Sequence, residues 1–78
     1  MTDGMALGSE RLFAVLCRLY DTETNCEIGT FWDGGLWARI GDRENGYVWN
    51  SGHGYYSAGD LATALLGAAI RLGILRGA

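Results

Sequence analysis

Hydrophobic residues along this chain change their period twice. Leu12, Leu16 and Leu19 recur at three- and four-residue intervals with Phe13 and Tyr20 beside them, while Arg11, Ala14, Arg18 and Asp21 fall opposite. That spacing predicts an amphipathic helix from Ser9, a good N-cap, to about Tyr20, with residues 1–8 a flexible tail. From Cys26 to Asn50 the apolar residues come in short runs parted by Asp33-Gly34-Gly35 and by the charged loop 41–46. Short runs between turn signals read as strands. The helical period returns after Ser57-Ala58-Gly59-Asp60, a capping-box variant with Asp for the usual Glu, and persists to Leu72 or Ile74. The expected fold is one α+β domain over residues 1–78, with a three-stranded antiparallel β-meander flanked by an N-terminal and a C-terminal helix.

Asp-Gly and Gly-Gly tolerate the positive φ of tight hairpins, so a two-residue turn is expected at Asp33-Gly34 or Gly34-Gly35. Either choice puts Phe31 on one sheet face with Gly29, Leu36, Ala38 and Ile40. Cys26, Ile28, Thr30, Trp32, Trp37 and Arg39 fall on the other, and a one-residue slip would exchange the faces. If Val48 joins Phe31 and Ile40, Tyr47 and Trp49 join Trp32 and Trp37. Both faces then look apolar, which favours helices on opposite faces unless a dimer covers one.

The last helix is apolar on two sides. Leu61, Leu65, Ala68, Leu72 and Leu75 make one stripe, and Leu66, Ile70 and Ile74 make a second. Such a helix needs two partners, the sheet and either the first helix or a second copy of the chain. Leu66, Ile70 and Ile74 are therefore candidate residues of a homodimer interface.

Composition narrows the function. The formal net charge is −3, with nine acids against six basic residues, all arginine. Direct nucleic-acid binding is not expected, because it needs a basic patch to neutralise phosphate. No apolar run reaches membrane-spanning length, since Thr63, Gly67, Arg71 and Gly73 interrupt the longest. The acidic start lacks the basic residues of a signal peptide, and two cysteines do not make a disulfide framework, so a reducing cytoplasm is expected.

No catalytic constellation is evident. His53, the single histidine, could be combined with Cys17 or Cys26 only on paper, for no metal-ligand or nucleophile spacing is present. The glycine-rich run 52–59 lacks the lysine of a phosphate loop. No enzyme activity, metal or cofactor is expected. Trp32, Trp37 and Trp49 with Tyr47 and Arg39 read either as core or as an exposed interface. The acids Asp21, Glu23, Glu27, Asp33, Asp42 and Glu44 read either as solvated surface or as a rim that meets basic side chains. Asp33, Asp42, Glu44, Trp37 and Arg39 are the candidate partner-binding residues.

The strand Gly35-Leu36-Trp37-Ala38-Arg39-Ile40 resembles the W-x-R-I strand of the phage domains described as ABA sandwiches. The alanine-rich stretch Asp60-Leu61-Ala62-Thr63-Ala64-Leu65-Leu66-Gly67-Ala68-Ala69-Ile70 is similar to their closing helix, and the likeness spans roughly residues 10–73. Small size and acidity also resemble anti-CRISPR proteins directed at type I systems. These resemblances imply a phage or prophage origin and a host bacterial cytoplasm. They further imply binding to a Cas subunit of the type I surveillance (Cascade) complex, blocking target DNA recognition, or else a phage accessory or assembly role. Anti-CRISPR families share no motif, so the resemblance assigns no residue a role.

Overall fold

A computed structural model describes residues 3–32, 34–52 and 56–77. It contains α1 (Asp3–Asp21), β1 (Cys26–Thr30), β2 (Leu36–Asp42), β3 (Gly46–Asn50) and α2 (Ala58–Arg71). The strands form one antiparallel sheet in the order β1-β2-β3, so the chain is an α+β fold of α-β-β-β-α order. None of its described helices is long and apolar enough to cross a membrane.

The first helix begins at Asp3, so Ser9 lies inside it and not at its cap. Its buried face also differs from the expected one. Val15 and Leu19 are in the core and Leu12 and Leu16 pack against it, whereas Phe13 and Tyr20 stay 67% and 82% exposed. The reason is Gly8, which lies within α1 and not in a tail. A Cβ there would come within 2.9 Å of the Gly59 backbone nitrogen, so the two helices meet backbone to backbone at this point. That contact turns the Gly8, Val15 and Leu19 stripe towards α2, and Phe13 and Tyr20 away from it. Further along, Arg11 Nη2 donates to Thr63 Oγ1 at 2.8 Å and Arg18 Nη2 to the Arg76 carbonyl at 3.4 Å. The contacts advance in the same direction on both helices, which therefore run parallel.

Ala38 and Ile40 of β2 share one core with Val15, Leu19, Leu61, Ala62, Leu65, Ala68, Ala69 and Leu75. Both helices thus cover one sheet face, and the second apolar side of α2 is met by α1. The shortest molecular dimension, 17 Å, fits a sheet beneath a single helix layer. At its start α2 is capped by Ser57, whose hydroxyl accepts from the Asp60 N–H at 3.2 Å. It ends in a Schellman turn: Gly73 at φ 76 donates to Ile70 O and Ile74 to Ala69 O. The turn folds Leu75 back into the core, outside the helix that was expected to carry it.

The sheet corrects the expected sorting of side chains. Thr30 pairs with Leu36 and Ile28 with Ala38, and the Phe31 N–H donates to Gly35 O at 2.8 Å. The loop between them has an odd number of residues, with Gly34 at φ 104 and its N–H on Phe31 O. A three-residue loop with glycine in this position is a common alternative to the two-residue turn. Its odd length moves Cys26, Ile28 and Thr30 to the face of Leu36, Ala38 and Ile40. Gly29 and Glu27 move to the face of Trp37 and Arg39. A bulge then splits β3, because Ile40 faces Trp49 while Gly41 faces Tyr47. Val48 has no opposite residue and is 62% exposed. Trp49 joins the core side, and Tyr47 joins Trp37 and Arg39.

Gly41 makes this bulge possible. Its φ is 108, and a Cβ would overlap Gly46 O and lie 2.9 Å from Tyr47 Cα. Gly34 has a similar φ but open space around it. Gly41→Ala should therefore destabilise the protein by about 2–4 kcal/mol, against about 1–2 kcal/mol for Gly34→Ala. Urea unfolding of the two variants checks this, and equal losses would mean that the bulge accommodates a side chain.

Candidate interaction surface

The sheet face away from the helices carries a row of side chains that hold one another. Glu27 and Arg39 are cross-strand partners, as are Gly29 and Trp37. Gly29 gives the Trp37 indole a place to lie: a Cβ would be 2.7 Å from the indole nitrogen and nearer still to the ring carbons. With the indole fixed there, the Arg39 guanidinium sits 4.8 Å from the Trp37 ring centre and 5.1 Å from that of Tyr47. Tyr47 Oη donates to Glu27 Oε1 at 2.9 Å, and Arg39 Nη1 lies 4.0 Å from the same oxygen.

Ring stacking outweighs the ion pair in holding this cluster. The Arg39 and Glu27 side chains are 39% and 44% exposed, where a long salt bridge contributes about 0–1 kcal/mol at most. Two cation–π contacts add about 0.5–1 kcal/mol each at such a site. Arg39 Nε is buried and has no hydrogen-bond partner among the described residues. Beside it, Phe31, Trp37, Arg39, Asn50 and Gly52 line a depression of about 140 Å³. Trp32, in the loop at the end of this sheet, is 98% exposed. The three tryptophans therefore divide. Trp49 packs against the core, Trp37 is half-buried on the open face, and Trp32 is in solvent.

The acids expected to form a rim do not form one set. Asp42 accepts from the Asn45 N–H and side chain and from Asn25 Nδ2, tying the β2–β3 loop to the segment before β1. The Asn45 backbone N–H, above all, holds the Asp42 carboxyl below its usual range. This aspartate thus organises its loop, a role beyond the solvated surface or partner-facing rim expected of it. Glu44 is exposed in the same turn. Asp33 and His53 lie outside the described residues. Of the residues expected at a homodimer interface, Leu66 and Ile74 pack partly against the chain's own core, and Ile70 is 36% exposed.

Glu27 and Gly29 were not expected at this site, and loop parity alone brings them to the face of Trp37. The signal was present as a glycine, Gly29, between the β-branched Ile28 and Thr30.

Little elsewhere suggests bond-making chemistry. Among the described residues, no group of three or more His, Cys, Asp or Glu is placed to hold a metal ion. A recess of about 630 Å³ between the helix starts and the first hairpin is lined, among the described residues, by Gly8, Ser9, Gly34, Leu36, Tyr56, Ser57, Ala58 and Gly59. None of these is a carboxylate, histidine, cysteine or arginine. Cys17 is exposed, while burial and the nearby Glu27 charge push the Cys26 thiol up to about 11. No protein-family model matches this chain, and no curated protein or solved structure matches it. Fold and surface alone define it, as a small α+β domain with an open, aromatic sheet face.

Two expectations follow. Iodoacetamide at about pH 8 should label Cys17 well before Cys26, because the thiolate is the reactive form; mass spectrometry of the peptides reads the order, and equal rates would contradict the burial of Cys26. For Asp42, the depressed folded value means that its contribution is present above an unfolded pKa of about 3.9 and is lost as pH falls through the folded one. Asp42→Asn should flatten the acid limb of stability measured by urea unfolding between neutral pH and about pH 3. An unchanged limb would assign acid sensitivity to other groups.

Proposed function

We propose that the protein acts by binding another protein through its open sheet face, and that it is not an enzyme. The observation that carries this reading is the interlocked cluster of Glu27, Trp37, Arg39 and Tyr47, which no other described element covers. Aromatic residues and arginine are the side chains most often dominant in binding energy. Here they are ordered before any partner arrives, which lowers the entropy lost on association. Among the described residues the Arg39 Nε–H has no hydrogen-bond acceptor, a departure from polar satisfaction of the kind kept at functional sites.

The finer form of the proposal is an inhibitor of a type I CRISPR surveillance complex, encoded by a phage or prophage, that blocks target DNA recognition in the host cytoplasm. Support comes from the resemblances of the Trp37 strand and the closing helix, the net charge of −3, and the exposed Glu44 in the β2–β3 turn. A carboxylate there would meet arginine or lysine that otherwise contacts phosphate. The alternative is a phage accessory or assembly domain that uses the same face on another phage protein.

Binding of labelled target DNA by a purified type I surveillance complex, titrated with the protein, tests the finer form. Wild type should suppress DNA binding at a near-equimolar ratio. Trp37→Ala/Arg39→Ala should weaken suppression by at least about 100-fold, corresponding to the loss of one strong contact centre. Glu44→Arg should weaken it by about tenfold and more at low salt, since exposed charges are screened. Circular dichroism should show both variants folded. No suppression by wild type would reject the inhibitor form, and full suppression by folded Trp37→Ala/Arg39→Ala would reject the sheet face as the contact.

A further inference from the structure

The helix layer carries two surfaces that the sheet face does not use. The first is a groove of about 210 Å³ between α1 and α2, lined by Arg11, Ala14, Val15, Arg18, Ala62 and Leu66. Its floor is apolar and its α1 wall carries two guanidinium groups. Leu7, one helical turn before Arg11, continues that wall and is 57% exposed.

The second surface is the back of α1. Phe13, Cys17 and Tyr20 stand four and three residues apart, so they form one stripe, and all three are exposed. Glu10 and Asp21, also exposed, border the stripe on the side nearer the groove. Each aromatic ring offers about 150–250 Å² for burial, and within the chain neither takes it.

We propose that these surfaces are two halves of one contact, in which the Phe13, Cys17 and Tyr20 stripe of one copy seats in the Arg11 and Arg18 groove of the next. Charge complementarity identifies the occupant. The groove is basic on an acidic protein, and the chain itself presents an apolar helical stripe edged with carboxylates. Along a helix Glu10 and Asp21 are about 16 Å apart and Arg11 and Arg18 about 10 Å, a difference that extended arginine side chains span. Because groove and stripe are different surfaces, the contact is head-to-tail. Association adds copies in series instead of stopping at a two-fold dimer. The contact leaves the sheet face free, so it stands or falls independently of the binding role proposed for that face.

Sedimentation velocity over a concentration series, at low and high salt, tests this. Wild type should gain mass with concentration and lose it with salt. Phe13→Ser/Tyr20→Ser alters only exposed positions and should weaken association by at least about tenfold. Arg11→Glu/Arg18→Glu and Glu10→Arg/Asp21→Arg should each be monomeric, since each opposes like charges. Mixed in equal amounts, these two should associate again, because each then offers the other an opposite charge. Circular dichroism checks folding, as Arg11→Glu gives up the bond to Thr63. Wild type that stays monomeric to about 1 mM, association that survives Phe13→Ser/Tyr20→Ser, or folded charge-reversed variants that ignore each other would each overturn the proposal.

Discussion

The length of the first hairpin loop decides what this molecule is. A sheet has a side-chain period of two, so adding one residue to a turn exchanges the faces of everything before it. With Phe31 N–H on Gly35 O the loop is odd. Cys26 and Ile28 then point where Ala38 and Ile40 point, and the strand pair presents one apolar face for two helices to cover. The same parity sends Gly29 beneath Trp37. An even turn would split the apolar residues of β1 from those of β2, leaving neither face fit to be a core. Burial of Ile28, Ala38 and Ile40 therefore enforces the register, and the turn geometry follows from it.

Local sequence preferences could not reveal this. Asp33-Gly34-Gly35 suits two-residue and three-residue loops alike, because each requires only a residue that tolerates positive φ. Element order, by contrast, was legible, since the periods of α1 and α2 and the runs between them are strong local signals. So was the cap at Ser57. The contact of Gly8 with Gly59 was not legible, because it is made between residues remote in sequence and rests on what glycine lacks. Its consequence, Phe13 and Tyr20 in solvent, reverses what a helical wheel suggests. A wheel ranks faces by hydrophobicity, whereas packing chooses the face that lets the backbones approach. Likewise the bulge at Gly41 parts Tyr47 from Trp49, which alternation alone would have kept together.

The candidate site was legible by residue type and not by arrangement. Trp37 and Arg39 stood out as aromatic and guanidinium neighbours on one strand. Glu27 and Tyr47 complete the cluster only through pairing with β2 and through the bulge. Asp42 shows the opposite error. It read as a free surface charge, yet its carboxylate holds Asn25 and Asn45 and so joins two loops. A side chain's charge says what it could meet, and its hydrogen bonds say what it has already met.

The two exposed apolar regions of this chain differ in what keeps them soluble. On the sheet, Trp37 is partly hidden by its own neighbours, and Arg39 spreads its charge over two rings, so the face is ordered without a cover. On α1, Phe13 and Tyr20 have no such neighbours and depend on Glu10, Asp21 and the helix's flanking charges. Water exclusion from a ring is worth about 25 cal/mol per Å², so the α1 stripe retains nearly all of that driving force. The Trp37 face has given up a larger part of it to internal stacking, while Phe13 and Tyr20 stay 67% and 82% exposed. The stripe therefore draws its affinity mainly from apolar burial, and its selectivity from the carboxylates at its edge. The sheet cluster, with fixed ring planes, one guanidinium and one carboxylate, must match its partner in geometry as well as in polarity. On the sheet face geometry selects the partner, and on the helix the flanking charge does.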